Sequence, residues 1–376
     1  MDRLIYISNS RMPTEKAHGI QIAKMCEAFS RFSSLEILLP KRKNIIKENI
    51  YSYYNVSNNF VIKYLNILDL VGVFPRGGFF ISSFLFAKAV SKYLKKNNYK
   101  GLVYSRDLFS LYFLKNNNNY RLFYEIHNFP KKLNIFHKKL FNKIKFVAIS
   151  QGLKDELEKH GISKENILVA HDGVDIENFN IGLDKKDARK KLNLPIDKKI
   201  VLYSGHLYSW KGVDTLFAAA KFIKGDIYFV GGAKEDLEKF SKKILDERYT
   251  NVFFLGQKPH KLIPIYLTAA DVLVLPNSSK QKISSHYTSP IKLFEYMASN
   301  RPIVASNLPS IREVLDNSNA VFFTPDDHID LANNINRILY DYELSLMVSK
   351  KARDDVENFS WEKRAKTILM FFNQHL

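Results

Sequence analysis

Short apolar runs recur along the chain and alternate with longer stretches in which apolar residues return at helical spacing. Leu4 to Ser8, Leu35 to Leu39, Gly101 to Tyr104, Leu122 to Ile126 and Phe146 to Ile149 read as strands, with Ile20 to Phe32 and Ser150 to His160 as helices. A second series opens at Ile200 to Tyr203. It continues through Ile227 to Val230, Phe253 to Gly256, Val272 to Pro276 and Pro302 to Ser306, and closes near Phe323. Strands separated by helices predict βαβ units, parallel sheets and an α/β fold; two series predict two domains. Gly173 to Lys199 is polar, carries Pro195 and reads as a linker with the entry to the second domain. Ser360 to Leu376, with Trp361, Ile368, Leu369, Phe371 and Phe372, predicts an amphipathic final helix.

The strands of the second series end in Gly, Ser or Pro, the place where open α/β sheets hold ligands. Ser204-Gly205-His206-Leu207-Tyr208-Ser209-Trp210-Lys211-Gly212 follows one strand and Gly231-Gly232 another. Ser289-Pro290-Ile291-Lys292-Leu293-Phe294-Glu295-Tyr296-Met297 predicts a helix with Ser289 as N-cap and Pro290 as its first residue. The N–H groups that follow lie at the positive helix end, where a phosphate binds, and Lys292 adds a full charge. Glu295 is an acceptor suited to a sugar diol and unsuited to a phosphate. An ordinary capped helix is the plainer reading of the same spacing.

With these segments stand Ala17-His18-Gly19-Ile20-Gln21, Tyr104-Ser105-Arg106-Asp107, Ala148-Ile149-Ser150, Asp172-Gly173-Val174-Asp175 and Ser360-Trp361. In this order the set resembles the family 4 glycosyltransferases over nearly the whole chain. These are GT-B enzymes of two Rossmann-like domains facing across a cleft, with a last helix that crosses back to the N-terminal domain. The resemblance implies an acceptor-binding domain over 1–172, a nucleotide-sugar domain over 173–358 and a returning helix over 359–376. It implies retaining transfer of a sugar from a UDP- or GDP-sugar to a glycan or lipid-linked acceptor, in building surface polysaccharide. Its catalytic residues would be His127, Lys211 and Glu295. Donor binding would fall to Gly19, His206, Lys211, Gly232, Gln257, Ser289, Pro290, Ile291, Lys292 and Glu295, and acceptor binding to His18, Lys16 and Arg106.

Two positions depart from the family pattern. His206 stands where many members carry Arg, which removes the bidentate fork and the permanent charge. Tyr287 stands eight residues before Glu295, at the place of the earlier of two glutamates, so reading of the transferred sugar is altered there. No Asp-any-Asp pair stands between a strand and a loop, and no cofactor or metal is expected; lysines and a helix end would neutralise the diphosphate instead. A close carboxylate pair of the kind a retaining glycosidase uses is likewise not visible. The alternatives are a GT-B enzyme acting on a soluble sugar or sugar phosphate and, from another class, a catalytically inactive or nucleic-acid-binding protein.

Charge adds one specific feature. Residues 1–150 hold 25 Lys and Arg against 8 Asp and Glu, a net of +17, whereas residues 151–376 hold 32 against 30, a net of +2. A merely solubilising charge would be spread over both halves, so the asymmetry predicts an anionic partner for the first. Lys41-Arg42-Lys43, Lys95-Lys96, Lys131-Lys132 and Lys138-Lys139 are the clusters, interleaved with Phe129, Phe136 and Phe141 and preceded by Phe79, Phe80, Phe84 and Phe86. Such mixtures suit an anionic membrane face or a lipid-phosphate acceptor, and also RNA. The helix that follows Arg76-Gly77-Gly78, Phe79 to Tyr93, also reads as a plain domain helix with its Phe side inward. No zinc finger, RRM signature or basic helix is visible, so a nucleic-acid partner is not expected. A single Cys26 suits a reducing cytoplasm. Met1-Asp2-Arg3 leads straight into an apparent strand, which predicts no signal peptide, and no apolar run reaches the length of a membrane span. A cytoplasmic protein, peripheral on the inner membrane face if membrane-bound, is the expectation.

Overall fold

Thirteen strands form in a computed structural model of the chain, which describes residues 3–71, 74, 77–130 and 132–375. Arg76, Lys131 and the terminal residues Met1, Asp2 and Leu376, named above, lie outside the described residues. The chain divides into two compact units, one made of 1–149, 153–171 and 361–376, the other of 150–152 and 172–360.

The first unit holds a parallel sheet of β1 (Leu4–Ile7), β2 (Leu35–Lys41), β3 (Val61–Asn66), β4 (Gly101–Ser105), β5 (Tyr120–Ile126), β6 (Lys145–Ala148) and β7 (Ile167–Val169). Their order is β3-β2-β1-β4-β5-β6-β7. The direction of winding reverses between β1 and β4, the switch point beside which doubly wound sheets bind ligands. The edge strand β3 leaves Val61, Lys63, Tyr64 and Asn66 exposed and buries Leu65, a pattern that hydrophobicity alone does not mark as a strand. The helix Trp361–Asn373 packs in this unit, with the Phe372 ring 4.1 Å from Phe123, 5.6 Å from Tyr104 and 6.3 Å from Phe29.

The second unit holds β8 (Ile200–Ser204), β9 (Asp226–Val230), β10 (Val252–Gly256), β11 (Val272–Leu275), β12 (Ile303–Ser306) and β13 (Val321–Phe323) in the order β10-β9-β8-β11-β12-β13, all parallel. Helices cover both faces. Ile200, Leu202, Leu273 and Leu275 join one core, and Val201, Tyr203, Val272 and Val274 the opposite one. Burial on both faces explains why these strands read as unbroken apolar runs. The switch point lies between β8 and β11.

One expectation is overturned by exposure. Phe79, Phe80, Ile81 and Phe84 of the helix Gly78–Lys96 face solvent, while Ser83, Phe86, Ala87, Val90 and Leu94 are buried. The inward side therefore runs through Phe86 and Val90, on the opposite side of the helix from Phe80 and Phe84. No helix among the described residues is long and apolar enough to cross a membrane.

Candidate functional site

In the second unit, the loop after β8 and the helix after β11 bring two lysines together. Gly205, at φ 130, lets the chain turn off β8; a Cβ there would stand 3.7 Å from Lys292 Nζ. Lys211 closes the loop, and Gly212, at φ 72, presses so close to the end of β11 that a Cβ would meet the Pro276 carbonyl oxygen at 1.7 Å. Lys211 is half-buried, and burial lowers its pKa to about 8. Lys292 lies on the helix Ile291–Ala298, 7% exposed, with Nζ 3.7 Å from the centre of the Tyr203 ring. That Nζ is buried and has no hydrogen-bond acceptor. Burial, and then the neighbouring Lys211 charge, hold the ammonium well below the usual lysine range, while Glu295 pulls the other way. Two cations are thus desolvated side by side without a compensating anion in hydrogen-bond contact.

The helix start differs from the expected one. Pro290 itself is the cap, at φ −76 and ψ 122, with no side chain capping the helix, and Ile291 is the first helical residue. The Ser289 hydroxyl accepts the Asp172 N–H at 2.9 Å, so it is drawn to another loop and cannot serve as the cap. The first-turn N–H groups of Ile291 and Lys292 are consequently left without a side-chain partner at the positive end. Glu295, one turn after Lys292, is buried, and His260 Nε2–H donates to its Oε1 at 2.8 Å. His260 opens the turn His260–Leu262 after β10; nothing in the local sequence marks it.

The remaining second-unit candidates lie around these groups. His206 stacks on Tyr208 at 5.1 Å and Tyr208 on Trp210 at 6.2 Å, while Lys211 Nζ stands 4.4 Å over the Trp210 ring. Gly232 follows β9 at φ 91, packed against Leu207, and Gln257 is exposed after β10. Tyr287 is buried.

His18, Gly19, Lys16, Arg106 and His127 belong to the first unit. Their centre is Glu125 of β5, fully buried, a residue to which the sequence assigned no role. Arg364 from the last helix donates both terminal nitrogens to Glu125 Oε2 at 3.2 Å, and Tyr104 donates to the same oxygen. Gln21 Nε2 donates to Oε1 at 2.6 Å, His127 Nε2–H donates to it as well, and Arg106 Nε lies 3.9 Å away. Burial alone would raise the Glu125 pKa, but Arg364, His127 and Arg106 hold it well below the usual carboxylate range. Arg106 also donates to Gln21 Oε1. Burial, then Arg106, Lys16 and His127, push His18 down to about 4, so its imidazole is neutral at physiological pH. Gly19 is the third residue of the helix Ala17–Phe29. Its N–H bonds the Lys16 carbonyl at 2.9 Å, and a Cβ would fall 2.1 Å from the Tyr54 hydroxyl, so this glycine serves internal packing. The signal for Glu125 was present: it is the one carboxylate between Asp107 and Asp155, inside an apolar strand and two residues before a histidine. Arg364 could not be paired with it from sequence, because 239 positions separate them. Among the described residues no cluster of three or more His, Cys, Asp or Glu could hold a metal ion.

Two Rossmann-like units, each built on a doubly wound parallel sheet, define the GT-B fold. The Anabaena HepE structure in complex with UDP and glucose superposes with a TM-score of 0.75 at 16% identity, covering 98% of this chain and 99% of that one. Residues 184–355, all within the second unit, match the family Glycosyl transferases group 1. A glycosyltransferase of Methanocaldococcus jannaschii is 26% identical over 260 residues, 65% of this chain and 64% of that protein. D-inositol 3-phosphate glycosyltransferase of Corynebacterium aurimucosum is 25% identical over 235 residues, 58% and 54% respectively. The matched stretches span under two thirds of these relatives' lengths. Together the matches show a group 1 glycosyltransferase domain over 184–355 and a GT-B fold for the chain.

Proposed function

We propose that this chain is a retaining, metal-independent family 4 glycosyltransferase that moves a sugar from a UDP- or GDP-sugar to a glycan or lipid-linked acceptor in cell-surface polysaccharide assembly. The observation that carries the reading is Lys292, an ammonium buried without an acceptor beside Lys211 and an uncapped helix start. A diphosphate supplies the missing negative charge, and the desolvation that disfavours both lysines in the free protein then strengthens their hold on it. HepE's complex with UDP and glucose supports a nucleotide-sugar of that kind.

In this reading Lys211, Lys292, His206 and the N–H groups at Ile291 and Lys292 hold the diphosphate, with Ser289 and Pro290 shaping the loop that exposes them. Glu295, oriented by His260, accepts the ribose diol; Gly232 and Gln257 border the donor. The departing phosphate takes the acceptor hydroxyl's proton on the face it leaves, which retains configuration without a covalent sugar–enzyme intermediate. His127, whose Nε2–H donates to Glu125, is the first-unit imidazole that the family resemblance sets against the transferred sugar. His18, Lys16 and Arg106 are the acceptor-side groups, and the basic first unit suits an anionic membrane face.

Lys211→Ala and Glu295→Ala should each lower turnover of the nucleotide-sugar by at least about a hundredfold. Near-normal rates in both variants would remove the site assignment. A soluble sugar phosphate is the second reading for the acceptor, favoured by Lys16 and Arg106 and by the D-inositol 3-phosphate relative. Transfer to inositol phosphate in the absence of lipid would select it.

A further inference from the structure

The first unit carries an aromatic surface rimmed by lysines and free of carboxylates, and we propose that it inserts into an anionic lipid bilayer. The inference deepens the membrane part of the reading above and rests on it for the choice of an anionic surface. Its test needs no turnover, so failure of the transfer reading and failure of this one are distinguishable.

At about 100° per residue, Phe80, Ile81, Phe84, Lys88, Lys92 and Lys95 of the helix Gly78–Lys96 share one face, opposite Phe86, Val90 and Leu94. Burial agrees: Phe80 is 62% and Phe84 42% exposed, whereas Phe86, Val90 and Leu94 are fully buried. The exposed face is therefore divided along its length, with rings in the first two turns and ammoniums in the later ones. Phe80 meets Phe109 at 6.3 Å and Phe84 meets Phe113 at 5.3 Å, which carries the aromatic surface onto the helix Leu108–Leu114. Phe136 meets Phe109 at 5.6 Å and Tyr112 at 4.4 Å, which extends it to the helix Ile135–Phe141, where Ile135 is 70% exposed. Lysines border it: Lys88 Nζ lies 4.6 Å over the Phe84 ring, Lys92, Lys95 and Lys96 line a hollow with Phe113, and Lys138 and Lys139 are exposed on the third helix. None of the three helices contains Asp or Glu.

Exposed rings of this number are a standing cost in water and a gain at the boundary between headgroups and acyl chains. The lysines, set back along the same face, reach anionic headgroups while the rings enter below them. A second copy of the chain fits less well, because a two-fold contact would set Lys88, Lys92 and Lys95 against their own counterparts.

The test is sedimentation of the full chain with sucrose-loaded vesicles of phosphatidylcholine, with and without phosphatidylglycerol, at low and high salt. Partition onto the phosphatidylglycerol vesicles, lost with salt, is expected. The triple variant Lys88→Glu, Lys92→Glu, Lys95→Glu should weaken it about a hundredfold or more, and Phe80→Ser with Phe84→Ser about tenfold. Equal binding to both vesicle types, or binding that the phenylalanine variant leaves unchanged, overturns insertion. So does a wild-type dimer that the phenylalanine variant dissociates in light scattering without vesicle binding, or retention of RNA in place of vesicles.

Discussion

Lys292 shows how a residue that burdens the free protein serves a ligand. Its Nζ has a tyrosine ring and a second lysine for company and no acceptor. Lys292→Met keeps the length and removes the buried charge, so the ligand-free variant should be about 1–2 kcal/mol more stable in urea unfolding at neutral pH. UDP affinity should fall at least about tenfold. A variant that loses both stability and affinity would show the lysine to be structural. Lys211 adds a pH dependence. Its pKa in the folded protein is about 8 against an ordinary 10.5, so the unfolded chain holds the proton more tightly. That destabilising contribution is full below about 8 and is relieved as pH rises toward 10.5. A bound diphosphate favours the protonated form, so UDP affinity should decline as pH climbs through about 8, and Lys211→Ala should flatten that decline in titration calorimetry.

At the level of elements, the last helix is tied to the first unit by Arg364. Its guanidinium meets the buried Glu125 carboxylate and donates to the His171 carbonyl at 2.7 Å. Arg364→Met leaves that carboxylate short of its main cation and should cost about 3 kcal/mol of stability, read from the urea midpoint. Adding Glu125→Gln should restore part of the loss; no restoration would mean that the helix is held by Phe372 and its neighbours alone. The helix after β11 was legible as a phosphate-binding start from Pro290 and Lys292, yet its cap was not. Ser289 beside Pro290 follows the local rule for an N-cap, but Asp172, 117 residues away, claims its hydroxyl. The edge strand β3 escaped for a related reason: solvent on one side removes the apolar run that announces an inner strand.

For the molecule as a whole, a nucleotide diphosphate should raise the melting temperature by mass action, by about 2.7 kcal/mol of stability at a hundredfold excess over Kd. A panel of UDP, GDP and their sugars would order the donors by the size of the shift, and no shift with any of them would contradict the lysine site. The sequence by itself determined the two βα series, the Gly-, Ser- and Pro-terminated strands, the two lysines and the charge concentrated in residues 1–150. Each of these is a property of neighbours along the chain, where periodicity and side-chain chemistry act directly. Only the tertiary structure decided that Glu125 meets Arg364, that Glu295 meets His260, and that Phe80 and Phe84 face outward with Lys88. Those outcomes depend on which surfaces the packed sheets and helices leave uncovered, and on partners distant in sequence that compete for the same polar atom.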